Sequence, residues 1–130
     1  MKDLLAGKVI LISGGTRGLG AGIARAAARE GATVVLAGRN AGHGEQVAAE
    51  LAAEGADASY VQADITEVAQ AVAAVQTTVR RHARIDSLVN SAGLTTRGTL
   101  LDTTEELFDQ HLAVNLKAPF FLMQAAVADM

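Results

Sequence analysis

Short β-branched runs alternate along this chain with longer stretches of helical period, and that alternation restricts the fold more than any other feature. Residues 8–13, Lys-Val-Ile-Leu-Ile-Ser, form an apolar run of the kind found in strands buried on both faces. A glycine cluster follows at once. Residues 19–30 place Leu19, Ile23, Ala26 and Ala27 at helical spacing, and Gly31 is positioned to end that helix. Residues 33–37 read as a second strand. Residues 44–54 read as a second helix with Val47 and Leu51 on one face, closed by Gly55, and residues 58–63 as a third strand. Residues 67–82 repeat Val68, Val72, Val75 and Val79 in one stripe, with Thr66 as the expected N-cap. A fourth strand is expected at 85–89. After a loop to Asp102, a helix capped by Thr103 or Thr104 is expected to run to Met130, with Glu105 and Glu106 in its first turn and a break between Leu116 and Pro119.

The order β-α-β-α-β-α-β-α demands parallel strands joined by right-handed crossovers, with helices on both faces of the sheet. The expected architecture is therefore α/β, a doubly wound parallel sheet of four strands in the order 3-2-1-4. Its switch point lies between the first and fourth strands. Ligands of such sheets bind beyond the carboxyl ends of the strands beside that point, where the turns after strands one and four would meet.

The 130 residues suit a single domain, and a composition half hydrophobic argues against disorder. Eleven Lys and Arg against 14 Asp and Glu give a net charge of -3 without a basic block, so no nucleic-acid partner is expected. There is no cysteine, which excludes disulfides and thiolate zinc sites. The start of the chain does not resemble a signal peptide, and the apolar run from Val9 to Ile12 is too short to span a bilayer. A soluble, cytoplasmic protein without a membrane partner is the expectation.

The glycine cluster, Ser13-Gly14-Gly15-Thr16-Arg17-Gly18-Leu19-Gly20, stands directly between a strand and a helix. A helix N-terminus there offers free N–H groups and a partial positive charge to a phosphate, and glycine lets the backbone approach it closely. The spacing differs from the common G-x-G-x-x-G dinucleotide fingerprint. At the end of the second strand, where a carboxylate would bind a ribose 2'-hydroxyl and repel a 2'-phosphate, the chain reads Leu36-Ala-Gly-Arg-Asn40. Arg39 offers a forked guanidinium for a phosphate, and Arg17 could approach the same group from the other side. A dinucleotide that carries a 2'-phosphate, as NADP(H) does and NAD(H) does not, is therefore favoured.

Together with Asp64 after the third strand, Asn90-Ser-Ala-Gly93 after the fourth and Val114-Asn115 in the last helix, the glycine turn resembles the short-chain dehydrogenase/reductase family. The four motifs stand in that family's order, at about its spacing, along the whole chain. The resemblance implies a Rossmann-like domain over residues 1–130. It also implies an oxidoreductase that moves hydride between a nicotinamide dinucleotide and a carbonyl or alcohol. Carried over residue by residue, it gives Ser13, Gly14, Thr16, Arg17, Gly18, Leu19 and Gly20 as pyrophosphate-side residues and Arg39 as the specificity residue. Asp64 and Ile65 fall on the adenine side, and Asn90, Ala92 and Gly93 line the nicotinamide-ribose side. Ser13 and Ser91 stand where Thr and Asn are commoner in the family.

In that family catalysis also uses a Ser and a Tyr-x-x-x-Lys pair. The only tyrosine here is Tyr60, inside the third strand and followed four residues later by Asp64, and Lys117 does not match the family's lysine. Of the catalytic set the chain holds Asn115 alone, a residue that can equally satisfy backbone groups left unpaired near Pro119. The expectation is a chain that keeps cofactor binding but lacks the family's C-terminal catalytic half and is inactive alone. The alternative is a non-catalytic nucleotide-binding or self-associating module. His43, His82 and His111 show no ligand spacing and read as solvated surface residues, so no metal site is expected. The fourth strand's edge and the apolar stripe of Leu112, Leu116, Phe120 and 122–127 would lie open. This predicts a homodimer or higher homo-oligomer, a state that sedimentation reads directly.

Overall fold

The computed structural model describes residues 3–130, so Met1 and Lys2 of the segment read for a signal lie outside it. Four parallel strands form one sheet in the order β3-β2-β1-β4. They are β1 (Val9–Ser13), β2 (Thr33–Gly38), β3 (Ala58–Gln62) and β4 (Ser87–Asn90). The register sets Ile10 beside Val34 and Ser87, and Leu36 beside Tyr60. Because successive strand side chains alternate in direction, β1 feeds two cores at once. Leu11, Val35 and Ala37 pack on one face with Ala71, Val75, Leu122 and Ala126. Ile10, Ile12, Val34 and Leu36 pack on the other with Ala24, Val47 and Leu51.

The helices are α1 (Gly18–Arg29), α2 (Ala41–Ala53), α3 (Val68–His82), α4 (Glu105–Leu112) and α5 (Ala118–Val127). In α1 the buried residues are Gly20, Ala21, Ala24 and Ala27, whereas Leu19 and Ala26 are exposed. The expected face is thus rotated, because this helix lies too close to the sheet for a large side chain. In α3 the fully buried residues are Ala71, Ala74, Val75 and Thr78, and Val68, Val72 and Val79 flank them half-buried. Gly31 and Gly55 follow α1 and α2 with φ of 86° and 91°, the left-handed conformation expected of helix-ending glycines.

Three local expectations are corrected. Helix α2 starts at Ala41, earlier than the expected 44, because the Asn40 side chain accepts from the His43 N–H at 3.0 Å and caps it. Thr66 does not cap α3; its hydroxyl donates to Asp64 Oδ1 instead, and Glu67 holds the cap position. The last segment does not break at Pro119. Residues Ala113–Lys117 form a π-helical turn that joins α4 to α5, and Pro119 sits in the first turn of α5, directly after it. Helix α5 ends at Val127. Thr104 is the N-cap of α4, accepting from the Leu107 N–H at 3.1 Å.

Strand β4 begins at Ser87, so the expected start at 85 is two residues early, although Ile85 is buried. Leu122 and Ala126 face the core, while Leu112, Leu116, Phe120, Met123 and Val127 are exposed. His82 and His111 are half-buried, contrary to the reading of all three histidines as solvated. Among the described residues no helix is long and apolar enough to cross a membrane.

Asp86, just ahead of β4, ties β4 to β1. Its Oδ2 accepts the Val9 N–H at 2.9 Å and Arg84 Nε at 2.8 Å, and Lys8 Nζ lies 3.8 Å from Oδ1. The Arg84 hydrogen bond, then the Val9 N–H, hold its carboxyl down to about 2. A carboxyl whose folded pKa lies below its unfolded value of about 3.9 contributes stability above that value and loses it as pH falls toward the folded one. Urea midpoints should therefore drop between about pH 4 and 2, and Asp86→Asn should flatten that part of the curve. An unchanged slope in the variant would remove Asp86 from the acid response.

Candidate functional site

The carboxyl ends of β1 and β4 meet at the switch point. The Gly14 N–H donates to the Ala37 carbonyl at 2.9 Å and the Ser91 N–H to the Ser13 carbonyl at 3.1 Å, so both following turns leave the sheet in fixed directions. Gly14 has φ +67°, and a Cβ on it would stand 2.6 Å from the Ala92 nitrogen. The two turns therefore touch, with glycine required by both conformation and space. A Cβ on Gly20 would run into the Gly14 carbonyl oxygen. Its absence lets α1 start directly over the end of β1.

Above these turns lies a cleft of about 680 Å³, within the usual range for a small-molecule site. Its floor and one wall are Gly14, Thr16, Arg17, Gly18, Leu19 and Gly20; the end of β2 adds Arg39, the end of β3 adds Asp64 and Ile65, and the turn after β4 adds Ala92 and Gly93. Ser13 and Asn90 do not line it. Ser13 is buried beneath, its hydroxyl 3.5 Å from the Val89 carbonyl, and Asn90 ends β4 in register with it. The cleft also takes in Asn40, His43, Thr66, Ser91 and Val114, which the sequence reading did not assign to the site. Asn40 carried a usable signal, since an Asn before a helical stretch is a strong N-cap candidate.

The electrostatics suit an anion at one end. The N-cap of α1 is Arg17, in extended conformation with no side-chain capping bond, and the first turn carries no acidic residue. The first N–H groups of α1 are thus left to a ligand. Arg17 and Arg39 are both exposed at the cleft, and Asp64 is the one carboxylate among the described residues lining it. Asp64 Oδ1 accepts the Thr66 hydroxyl at 2.7 Å and its N–H at 3.0 Å. The Thr66 hydroxyl chiefly, with the charge of Arg39 adding to it, holds the Asp64 carboxyl below its ordinary value, so it stays an ionised acceptor at neutral pH. A second concavity of similar size runs along α4, but Glu105, Glu106 and Asp109 line it and would repel a phosphate.

Asn115 lies in the π-helical turn. Its Oδ1 accepts the Leu94 N–H and its Nδ2 donates to the Leu94 carbonyl, both at 2.8 Å, a pair of hydrogen bonds like that between two paired strand residues. Asn115 therefore holds the chain just after Gly93 and does not serve the backbone near Pro119. The wider turn is where its side chain leaves the helix. Among the described residues no cluster of His, Cys, Asp or Glu could hold a metal ion.

The sequence model of the short chain dehydrogenase family matches residues 8–130. The chain belongs to the short chain dehydrogenase family. Elsinochrome reductase 1 of Elsinoe fawcettii is 36% identical to this chain over 123 residues, which are 94% of this chain and 46% of the relative. Among solved structures, a blue fluorescent protein from a metagenomic library in complex with NADPH superposes with a TM-score of 0.91 at 36% identity, covering 97% of this chain and 52% of that one. A short chain dehydrogenase from Burkholderia cenocepacia in complex with NADP gives a TM-score of 0.93 at 35% identity, with the same coverage. The chain thus spans about half the length of the relatives it matches.

Proposed function

We propose that this chain is the NADP(H)-binding portion of an oxidoreductase that acts on a carbonyl or an alcohol. The observation that carries the reading is the end of β2, where exposed Arg39 lines the same cleft as Arg17 and where this chain has no carboxylate. The cleft fits the group in two further respects. Gly18, at the start of α1 with nothing within 4 Å of a Cβ, leaves room for a pyrophosphate against the uncapped helix end, and ionised Asp64 can accept the exocyclic amine of an adenine. When bound, the nicotinamide supplies or takes the hydride. Asn115 would keep the turn after β4 in place beneath the nicotinamide side.

Within these 130 residues the single tyrosine, Tyr60, gives its hydroxyl to the Gly38 carbonyl, and Tyr-x-x-x-Lys does not occur. The reading is therefore dinucleotide binding by this chain without turnover. Calorimetric titration should show NADPH binding more tightly than NADH. Arg39→Ala should weaken NADPH by about 10- to 100-fold, the range of a charged hydrogen bond to phosphate, and leave NADH within about twofold. Equal losses for both cofactors would remove the NADP(H) assignment. Carbonyl reduction by a preparation of confirmed mass would remove the claim of binding without turnover.

A further inference from the structure

We propose that Tyr60 and Gln62 of β3 are positioning residues for the cofactor-selecting turn, fixing the direction of Arg39 through the carbonyls of Gly38 and Arg39; this rests on the reading of Arg39 given above. Among the described residues no side-chain hydrogen bond or ion pair holds the Arg39 guanidinium, which is exposed. What aims it is therefore its backbone, and that backbone is held from the neighbouring strand. The Gly38 carbonyl accepts the Ala63 N–H at 2.9 Å, the bond that extends the β2–β3 ladder, and also the Tyr60 hydroxyl at 2.5 Å. A carbonyl oxygen has two lone pairs, and both are used here. The next carbonyl, that of Arg39, accepts Gln62 Nε2 at 3.2 Å, and Asn40 is fixed as the cap of α2. Three successive residues are thus pinned, with only the Arg39 side chain free to reach a ligand.

Tyr60 is itself locked in place. Its ring lies against Gly44 of α2, where any Cβ would overlap the ring atoms, and its carbonyl accepts Arg81 Nη1 at 3.0 Å. A glycine inside a helix is unfavourable on its own account, so its use at 44 is explained by the ring it admits. Burial, and then the nearby Glu45 carboxylate, push the Tyr60 hydroxyl above its ordinary range and keep it a donor at neutral pH. The contact is specific to the turn. Tyr60 does not line the cleft, so it acts on a ligand only through residues 38–40.

The test is a cycle on the full chain, with NADPH and NADH titrated calorimetrically into the unsubstituted protein, Tyr60→Phe, Arg39→Ala and the double variant. Tyr60→Phe keeps the ring on Gly44 and removes only the hydroxyl. It should weaken NADPH by about three- to tenfold, the range of one lost hydrogen bond, while NADH changes by less than about twofold. In the Arg39→Ala background the hydroxyl should no longer affect the NADPH to NADH ratio. An equal loss for both cofactors, or an NADPH loss that persists without Arg39, overturns the proposal while the specificity reading stands. An Arg39→Ala variant with an unchanged ratio, or a chain that binds neither dinucleotide, overturns both.

Discussion

Gly20→Ala is expected to lower stability by about 1–3 kcal/mol and to cut dinucleotide affinity at least about tenfold, although alanine is the better helix former by about 1 kcal/mol. Gly20 lies in the first turn of α1 with helical backbone, so conformation alone would favour the change. The added methyl, however, would meet the Gly14 carbonyl, a backbone atom that cannot rotate away. Gly14 in turn abuts Ala92, so relief has to move the turn after β1 or the turn after β4, and both form the cleft. Gly22 is the control. It lies in the same helix, exposed, with nothing within 4 Å of a Cβ, and Gly22→Ala should gain up to about 1 kcal/mol without changing binding. Urea midpoints and NADPH titrations on the two variants give the comparison. If both gain stability, the close approach of α1 to Gly14 is wrong.

Leu11→Ala should cost about 2–5 kcal/mol, out of a total that for a domain of this size is of the order of 5–15 kcal/mol. Leu11 is the middle residue of β1, paired with Val35 on one side and Leu88 on the other, and is wholly inaccessible to solvent. Its side chain packs in the core that α3 and α5 share with the sheet. Removing it leaves a void bounded by two strands and two helices, and a four-stranded sheet cannot collapse to fill it without losing register. Chemical denaturation at neutral pH measures the loss directly. Leu101→Ala, on a residue 96% exposed, should stay within about 0.5 kcal/mol.

What the sequence makes legible follows from how each element is buried. Strands β1 and β2 are covered on both faces, so they appear as unbroken apolar runs, and two such runs with a helix between them mark a parallel crossover unit. The helices are harder, because their contact surface is made of small residues. Ala24, Ala71 and Ala74 are wholly buried, while Leu19 is 77% exposed, so a reading weighted by side-chain size turns α1 the wrong way. The glycine turn is legible because its chemistry is local, contained between Ser13 and Gly20. The π-helical turn and the bond of Asn115 to Leu94 are not, since one side chain meets backbone 21 residues away. The same applies to Tyr60, whose meaning depends on Gly38 and Gly44 in other elements.

The pairing of Ile10 with Ser87 has a consequence for the order in which the molecule assembles. Strands β1, β2 and β3 are joined by crossovers of ordinary length, whereas β4 must come back across three strands' worth of chain to reach β1. Closing that longer loop carries the larger entropic cost, so the β1–β4 contact is expected to be the last seam to form. The Asp86 carboxylate, which bridges that seam through the Val9 N–H, acts as its latch. Acid that releases the latch should therefore loosen the β1–β4 seam from its amino end, the end opposite the cleft, while β1, β2 and β3 remain paired.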